Sequence, residues 1–298
     1  CSQAELLALW NIPRCLLPKI VDTSGMLAVC ETVFASAIPI TAVVGDQQAA
    51  LFGQTCFDGG DVKNTYGTGC FLLMNTKDRI IRSKHGLVTC VGWRIQGVCD
   101  YVLEGSVFVA GAAVQWLRDG LHLITTSAES EERARLVESS DGVIVVPAFT
   151  GLGAPYWKPQ VKGAMFGLTR GTRQEHIIRA TLESLAYQSC DVITAMEEDA
   201  GMKIHHLQVD GGASRNSFLM QFQSDLLNAT VIRSTISETT ALGAAYLAGL
   251  AIGYWKDQAA IKEQFQIARR YVPTIDPQTR ERLLKGWKKA VQAAIAFA

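Results

Sequence analysis

The chain has 298 residues, of which 48% are hydrophobic and 19% are charged, a balance typical of folded globular proteins and not of disordered ones. Basic and acidic side chains number 28 each, so the formal net charge is zero and gives no electrostatic reason to expect nucleic acid as a partner. No apolar run approaches the roughly 20 residues of a membrane span, and the first residues lack the pattern of a signal peptide.

Within the first 61 residues, one segment has the pattern of a strand and is followed directly by an aspartate. Residues 4–10 have the pattern of the middle of a helix, and because the chain opens with Cys1 we expect a piece of a longer protein. Residues 38–45 are rich in β-branched side chains, which predicts a buried strand that delivers Asp46 to its carboxyl end. A short Ala-rich helix follows, and the turn at 58–61 is a candidate domain boundary.

The rest of the chain first predicts a strand meander and then alternating helices and strands. The predicted strands are 62–66, 70–75, 87–95, 98–104, 142–149, 206–210 and 230–233, with Gln96–Gly97 as a hairpin turn. The predicted helices are 110–121, a helix that begins at a Thr172–Glu175 capping box and ends near Gly201, 216–227, 239–253 and a last helix from Pro277. Together these patterns predict an α/β domain.

The eight cysteines are expected to be free thiols. They occupy positions 1, 15, 30, 56, 70, 90, 99 and 190. Because none forms a Cys-x-x-Cys pair, the sequence supports neither a zinc site nor a dithiol redox site. Most lie in apolar segments, where a thiol behaves as a small hydrophobic group, so we expect reduced cysteines and a cytoplasmic protein.

Three glycine-rich turns each follow a predicted strand. They are Tyr66–Gly69, the stretch from Glu104 and Gly105 to Gly111, and Asp210–Ala213. Glycine lets backbone N–H groups approach a ligand closely, and a helix that begins behind the turn favours a phosphate group. A single turn of this kind is more often structural than functional, and the sequence contains neither a P-loop nor a dinucleotide-binding fingerprint.

The order of several motifs carries a resemblance to a known family. The motifs are residues 45–51 (GDQQAAL), 64–71 (NTYGTGCF), 146–157 (VPAFTGLGAPYW), 163–168 (GAMFGL), 180–183 (ATLE), 209–213 (VDGGA) and 240–249 (TALGAAYLAG). They resemble glycerol kinases, within the FGGY family of carbohydrate kinases, over nearly the whole chain. The resemblance implies an actin-like ATPase (ribonuclease H-like) α/β fold with a mixed sheet flanked by helices. It also implies that 1–56 is the tail of an N-terminal substrate domain and 57–298 a C-terminal ATP-binding domain.

The same resemblance implies roles for individual residues. Asp46 matches the catalytic base that takes the proton of the substrate hydroxyl, and Gln47 and Phe71 match positions that line the glycerol site. Read alone, Asp46 is equally a helix N-cap, Gln47 a solvated residue and Phe71 a core aromatic side chain. The nucleotide-binding positions implied by the resemblance are Gly67, Thr68, Gly111, Gln115, Gly212 and Asn216. Among these, Gln115 and Asn216 could also be ordinary polar helix residues.

The implied activity is ATP-dependent phosphorylation of glycerol to sn-glycerol 3-phosphate, with ATP and Mg²⁺ required and glycerol as the small-molecule partner. The sequence does not identify the metal ligands. We expect a homo-oligomer in the full-length form, without a membrane span. The family's first phosphate loop and the Arg, Glu and Tyr that grip glycerol are not found here, so we expect the isolated chain to be poorly active. A kinase of another polyol or sugar, such as xylulose or gluconate, and a non-catalytic nucleotide-binding module remain alternatives.

Overall fold

The computed structural model describes residues 3–298 and shows two sheets within them. The strands are β1 (Ser24–Cys30), β2 (Ile38–Ala42), β3 (Val62–Tyr66), β4 (Cys70–Lys77), β5 (Val88–Ile95), β6 (Val98–Val107), β7 (Ile144–Val146), β8 (Ala164–Phe166), β9 (His206–Gly211), β10 (Thr230–Ser234) and β11 (Ile267–Tyr271). The large mixed sheet has the order β11-β10-β9-β3-β4-β6-β5-β1-β2, and β7 pairs with β8.

Helices pack on both faces of the large sheet, although the first helix, at the start of the chain, buries no residue. They are α1 (Gln3–Leu9), α2 (Asp46–Gly53), α3 (Gly111–Gln115), α4 (Glu129–Ala134), α5 (Gln174–Ala200), α6 (Ser217–Leu227), α7 (Thr239–Ala251), α8 (Gln258–Lys262) and α9 (Pro277–Phe297). Among the described residues, no helix combines the length and the apolar character that a membrane crossing would require.

The pairing of the central strands brings two glycine-rich turns together. Strands β3, β4, β6 and β5 form the predicted antiparallel meander, whereas β9 lies parallel to β3. In that parallel register Tyr66 stands opposite Gly211. Because parallel strands end at the same edge of a sheet, the turns that follow β3 and β9 lie side by side.

Alternate residues of the central strands pack into two different cores. Leu72 of β4 belongs to the larger core with α5, α6 and α9, and Leu73 belongs to the smaller core with α2 and α7. Helices α2 and α7 touch backbone to backbone, because a Cβ on Gly243 would lie 1.8 Å from the carbonyl oxygen of Ala49. Helix α2, which begins at Asp46, is therefore held in place by α7.

Several local predictions were wrong. The strand before Asp46 is not buried: β2 ends at Ala42 and is the edge strand of the sheet, so Ile38 and Ile40 are each 41% exposed. Helix α7 covers only one face of β2, where Thr41 is buried and its Oγ1 donates to the carbonyl oxygen of Ala248 at 3.3 Å, whereas Ile38 and Ile40 lie on the other face. The segment predicted as a helix over 110–121 is α-helical only as α3 and continues as a π-helical turn.

Two other expectations, on Gly105 and on the start of α5, are also wrong. Gly105 is not in a turn but inside β6, where an added Cβ would lie 2.4 Å from Cγ1 of Val192 in α5. The capping residues of α5 are shifted by one position. Nδ1 of His176, not the side chain of Glu175, accepts a hydrogen bond from the backbone N–H at the helix start, that of Arg173, at 3.0 Å. The predicted end of α5 is confirmed by Gly201, which has φ 66°.

The seven cysteines within residues 3–298 are free thiols, and Cys1 lies outside the described residues.

Candidate functional site

A cleft of about 430 Å³ opens at the edge of the sheet where β3 and β9 end. All of the positions predicted to bind the nucleotide line it. They are Gly67, Thr68, Gly111, Gln115, Gly212 and Asn216. The sequence placed these residues in three separate segments, and the parallel pairing of β3 with β9 brings the first and the last together.

The first wall of the cleft is a tight turn stacked on the start of α3. Thr68 uses its carbonyl oxygen to accept the backbone N–H groups of Ala110 and Ala112, at 2.9 and 3.1 Å. The Gly111 N–H donates to the Gly67 carbonyl at 3.0 Å, and a Cβ on Gly111 would lie 2.5 Å from that oxygen. Gly111 is therefore needed for the close approach of two backbone segments.

A second wall of the cleft is the turn between β9 and α6. Gly211 has φ 82°, a left-handed conformation that favours glycine, whereas a Cβ on Gly212 would meet no atom within 4 Å. Asn216 caps α6: its Oδ1 accepts the backbone N–H of Leu219 at 2.9 Å. With the oxygen used in the cap, the Nδ2 group of Asn216 is the part of the amide left to donate to a ligand.

The cleft is also lined by residues to which the sequence assigned no role in binding, although Tyr66, Leu182 and Ala213 lie within the motifs named above. They are Tyr66, Val114, Ser127, Ala128, Ser130, Glu131, Leu182, Ala213 and Arg215. The segment at 127–131 follows no predicted strand and contains no glycine, so no local signal marks it. Glu131 is fixed beside the cleft because its Oε2 accepts the backbone N–H of Ser217 at 2.9 Å.

The residues predicted to serve the substrate form a second cluster around a buried lysine. Asp46 is the exposed first residue of α2, behind Gly45 as the N-cap. Its Oδ1 accepts the backbone N–H of Gln47 at 2.8 Å, and its Oδ2 accepts from the Gln47 Nε2 group at 3.3 Å. Lys63 donates to the side-chain oxygen of Gln47 and, at 3.1 Å, to the carbonyl oxygen of Phe71, whose side chain is 37% exposed.

No sequence pattern points to Lys63, because a lysine in a strand pattern is most often exposed. It lies in β3, whose last residue, Tyr66, is also the first to line the cleft. One strand thus connects the two clusters of predicted site residues.

Comparison with known proteins identifies the family. The chain matches the model of the FGGY family of carbohydrate kinases, C-terminal domain, over residues 62–252. The chain belongs to the FGGY family. It is 58% identical over 295 residues to the glycerol kinase of Geobacillus sp. (strain WCH70), an alignment that covers 98% of this chain and 60% of that protein. The chain therefore spans about 60% of the length of this curated relative.

Solved structures of FGGY kinases share the fold. The chain resembles Plasmodium falciparum glycerol kinase with ADP, with a TM-score of 0.92 and 34% identity, over 97% of this chain and 59% of that one. A xylulose kinase from Lactobacillus acidophilus has a TM-score of 0.83 at 21% identity, over 98% and 60% of the two chains. At that identity the likeness shows the fold alone. The predicted actin-like α/β fold is confirmed.

Proposed function

We propose that this chain is the C-terminal, nucleotide-binding part of an ATP-dependent glycerol kinase that forms sn-glycerol 3-phosphate. The observation that carries the proposal is the cleft beside β3 and β9, which gathers all the residues predicted to bind the nucleotide. The names of the relatives support glycerol as the substrate, since the glycerol kinases of Geobacillus sp. and Bacillus thuringiensis (strain Al Hakam) are 58% and 57% identical to the chain. The division into a tail (1–56) and an ATP-binding domain (57–298) belongs to the same proposal.

In the proposed reaction Asp46 is the general base. Its carboxylate is exposed at the start of α2 and accepts hydrogen bonds from Gln47, so one oxygen can also accept the proton of a substrate hydroxyl. The hydroxyl oxygen then attacks the γ-phosphorus of ATP in line with the leaving ADP. Phosphoryl transfer depends on position and charge stabilisation more than on covalent help from the protein, which is consistent with so small a set of reactive side chains.

The residues present fit a magnesium ion carried by the nucleotide. Within residues 3–298 no group of three or more His, Cys, Asp or Glu side chains could hold a metal by itself. Asp210, at the end of β9, has a buried Oδ1 without a hydrogen-bond partner, which makes it the carboxylate that we assign to the ion. A magnesium ion held by this carboxylate and by the nucleotide would supply positive charge that stabilises the negative charge on the phosphates.

The test is ATP-dependent phosphorylation of glycerol by the complete protein, with xylulose and gluconate as competing substrates. We expect a strong preference for glycerol, and we expect residues 1–298 alone to turn over poorly. The Asp46→Asn variant should lower kcat by about 10²–10⁴-fold, the usual contribution of a general base. A variant within about 10-fold of the wild type would remove Asp46 from this role.

The other outcomes separate the alternatives. Preference for xylulose or gluconate would keep the fold and the nucleotide cleft but overturn the assignment of glycerol. Nucleotide binding without turnover on any of these substrates would favour a non-catalytic module. We keep a homo-oligomeric full-length protein as a further prediction, which sedimentation of that protein would test.

A further inference from the structure

Lys63 is a fully buried cation in the middle of the sheet. Its side chain is 0% exposed, and it lies in β3 between β4 and β9. A buried lysine is uncommon, because removing an ammonium group from water is unfavourable unless its protons find acceptors. A residue of this kind needs a reason beyond packing, since an apolar side chain would fill the same space without that penalty.

The ammonium group of Lys63 has one acceptor for each of its three protons. They are the side-chain oxygen of Gln47 in α2, Oγ1 of Thr65 at 3.0 Å and the carbonyl oxygen of Phe71 at 3.1 Å. None of these acceptors is charged, and no carboxylate among the described residues lies within ion-pair distance of Lys63. Two of the three belong to residues predicted to serve the substrate.

Three carboxylates, each on a different element, lie around Lys63 beyond ion-pair distance. Burial lowers the pKa of Lys63 to about 8, and the negative charges of Asp210 in β9, Glu104 in β6 and Asp46 in α2 oppose that change. These charges help keep the group protonated at neutral pH, the state in which all three protons are present. The Lys63 ammonium group therefore lies near Asp46 without forming an ion pair with it.

Lys63 decides which way the amide of Gln47 points. An ammonium group can only donate, so the end of the amide that meets it must be the oxygen. The NH₂ end is then turned toward Asp46, whose Oδ2 lies 3.3 Å from Nε2. A flipped amide would place two donors face to face and leave Asp46 without this hydrogen bond.

We propose that Lys63 is a positioning residue that holds Gln47 with its amide NH₂ directed at Asp46 and at the reacting hydroxyl of the substrate. The inference rests on the proposed kinase function. The hydroxyl group donates its proton to Asp46 and accepts a hydrogen bond from Nε2 of Gln47. These two hydrogen bonds fix the orientation of the hydroxyl group before its oxygen attacks the γ-phosphorus.

The test is a double-mutant cycle in the complete protein. Lys63→Met keeps the length and volume of the side chain and removes the donor, and Gln47→Ala removes the amide. Each is expected to lower kcat/KM for glycerol by about 10-fold or more, the effect of losing a hydrogen bond to a charged group, with KM for ATP within about 2-fold. The double variant should be no worse than Gln47→Ala alone, because Lys63 acts through Gln47.

Two further variants keep the inference open to refutation. Lys77→Met is the matched control, a lysine of neighbouring β4 that pairs with Asp100 at 2.8 Å, and it should leave both KM values unchanged. Gln47→Glu retains an oxygen for Lys63 but has no NH₂ for the substrate, so it should fold and yet be as impaired as Gln47→Ala. Gln47→Glu therefore tests the role of the Gln47 NH₂ group even if Lys63→Met does not fold.

The outcomes separate this inference from the proposed function. Multiplicative losses in the double variant, or normal glycerol kinetics for Gln47→Glu, would overturn the positioning role while leaving the kinase assignment intact. If the wild type does not phosphorylate glycerol, the proposed function fails, and the side-chain amide resonance of Gln47 in ¹⁵N spectra decides instead. That resonance should shift in Lys63→Met and stay in place in Lys77→Met. An unchanged Gln47 resonance in Lys63→Met would refute the contact between Lys63 and Gln47.

Discussion

Asp191 in α5 gives the sharpest prediction on stability. Its Oδ2 accepts hydrogen bonds from the Tyr156 hydroxyl at 2.9 Å and from Nε1 of Trp287 at 2.6 Å, so it joins α5 to α9 and to the loop before β8. Burial raises the pKa of Asp191 from its ordinary 3.8 to about 6, although both hydrogen bonds favour the charged form. The folded protein therefore holds this proton more tightly than the unfolded chain does.

The sign of the pH dependence follows from that difference. Between about pH 4 and pH 6 the native state binds more protons at this site, so the free energy of unfolding falls as pH rises and levels off above 6. A displacement of about 2 pH units corresponds to about 3 kcal/mol. Because Asp191 is not completely shielded from solvent, we expect a contribution of about 1–3 kcal/mol.

The perturbation is Asp191→Asn, in which the amide oxygen can accept both hydrogen bonds and no charge is buried. We expect the variant to be more stable than the wild type at pH 7 by about 1–3 kcal/mol, with a melting temperature higher by roughly 2–6 °C. At pH 4 the two proteins should be equal. Thermal and urea unfolding followed by circular dichroism from pH 4 to pH 8 measures both quantities.

Asp199, in the same helix, is the matched control, because its pKa is shifted in the opposite direction. Burial would raise its pKa, but hydrogen bonds from Ser83 and from the backbone N–H of Lys84 outweigh burial and hold the pKa below its ordinary value. Asp199→Asn should therefore destabilise the protein at pH 7. The reasoning on Asp191 is refuted if Asp191→Asn loses stability at pH 7, or if its curve falls between pH 4 and pH 6 as steeply as that of the wild type.

The remaining predictions concern glycines at close contacts. Gly243→Ala should lower the free energy of unfolding by about 3 kcal/mol, because its Cβ would lie 1.8 Å from the Ala49 carbonyl; a loss under about 1 kcal/mol in urea would show that α2 and α7 separate easily. Gly111→Ala should cost about 1–3 kcal/mol, because its Cβ would lie 2.5 Å from the Gly67 carbonyl, and should weaken ADP binding in calorimetry. In Gly212→Ala the new Cβ meets no atom within 4 Å, so this variant should keep the stability of the wild type and weaken only ADP binding. Equal losses of stability in Gly111→Ala and Gly212→Ala would contradict this prediction.

Features that depend on neighbouring residues along the chain can be predicted from the sequence alone. The turn at Tyr66–Gly69, the cap of α6 by Asn216 and the end of α5 at Gly201 follow from local backbone preferences that a short segment displays. The motifs and the family resemblance that they carry also predicted the confirmed fold and six of the residues that line the cleft. These signals are readable because each one depends on residue types a few positions apart.

Contacts between side chains of distant segments become visible only in the folded chain. Lys63 reads as an ordinary strand residue, and it becomes a buried cation because α2 packs over β3 and places the oxygen of Gln47 within its reach. Glu131 joins the cleft because its helix packs against α6, and Ile38 and Ile40 are exposed because β2 ends the sheet and α7 covers only its other face. Burial and long-range hydrogen bonds depend on which elements cover one another, a property of the folded chain that no local pattern contains.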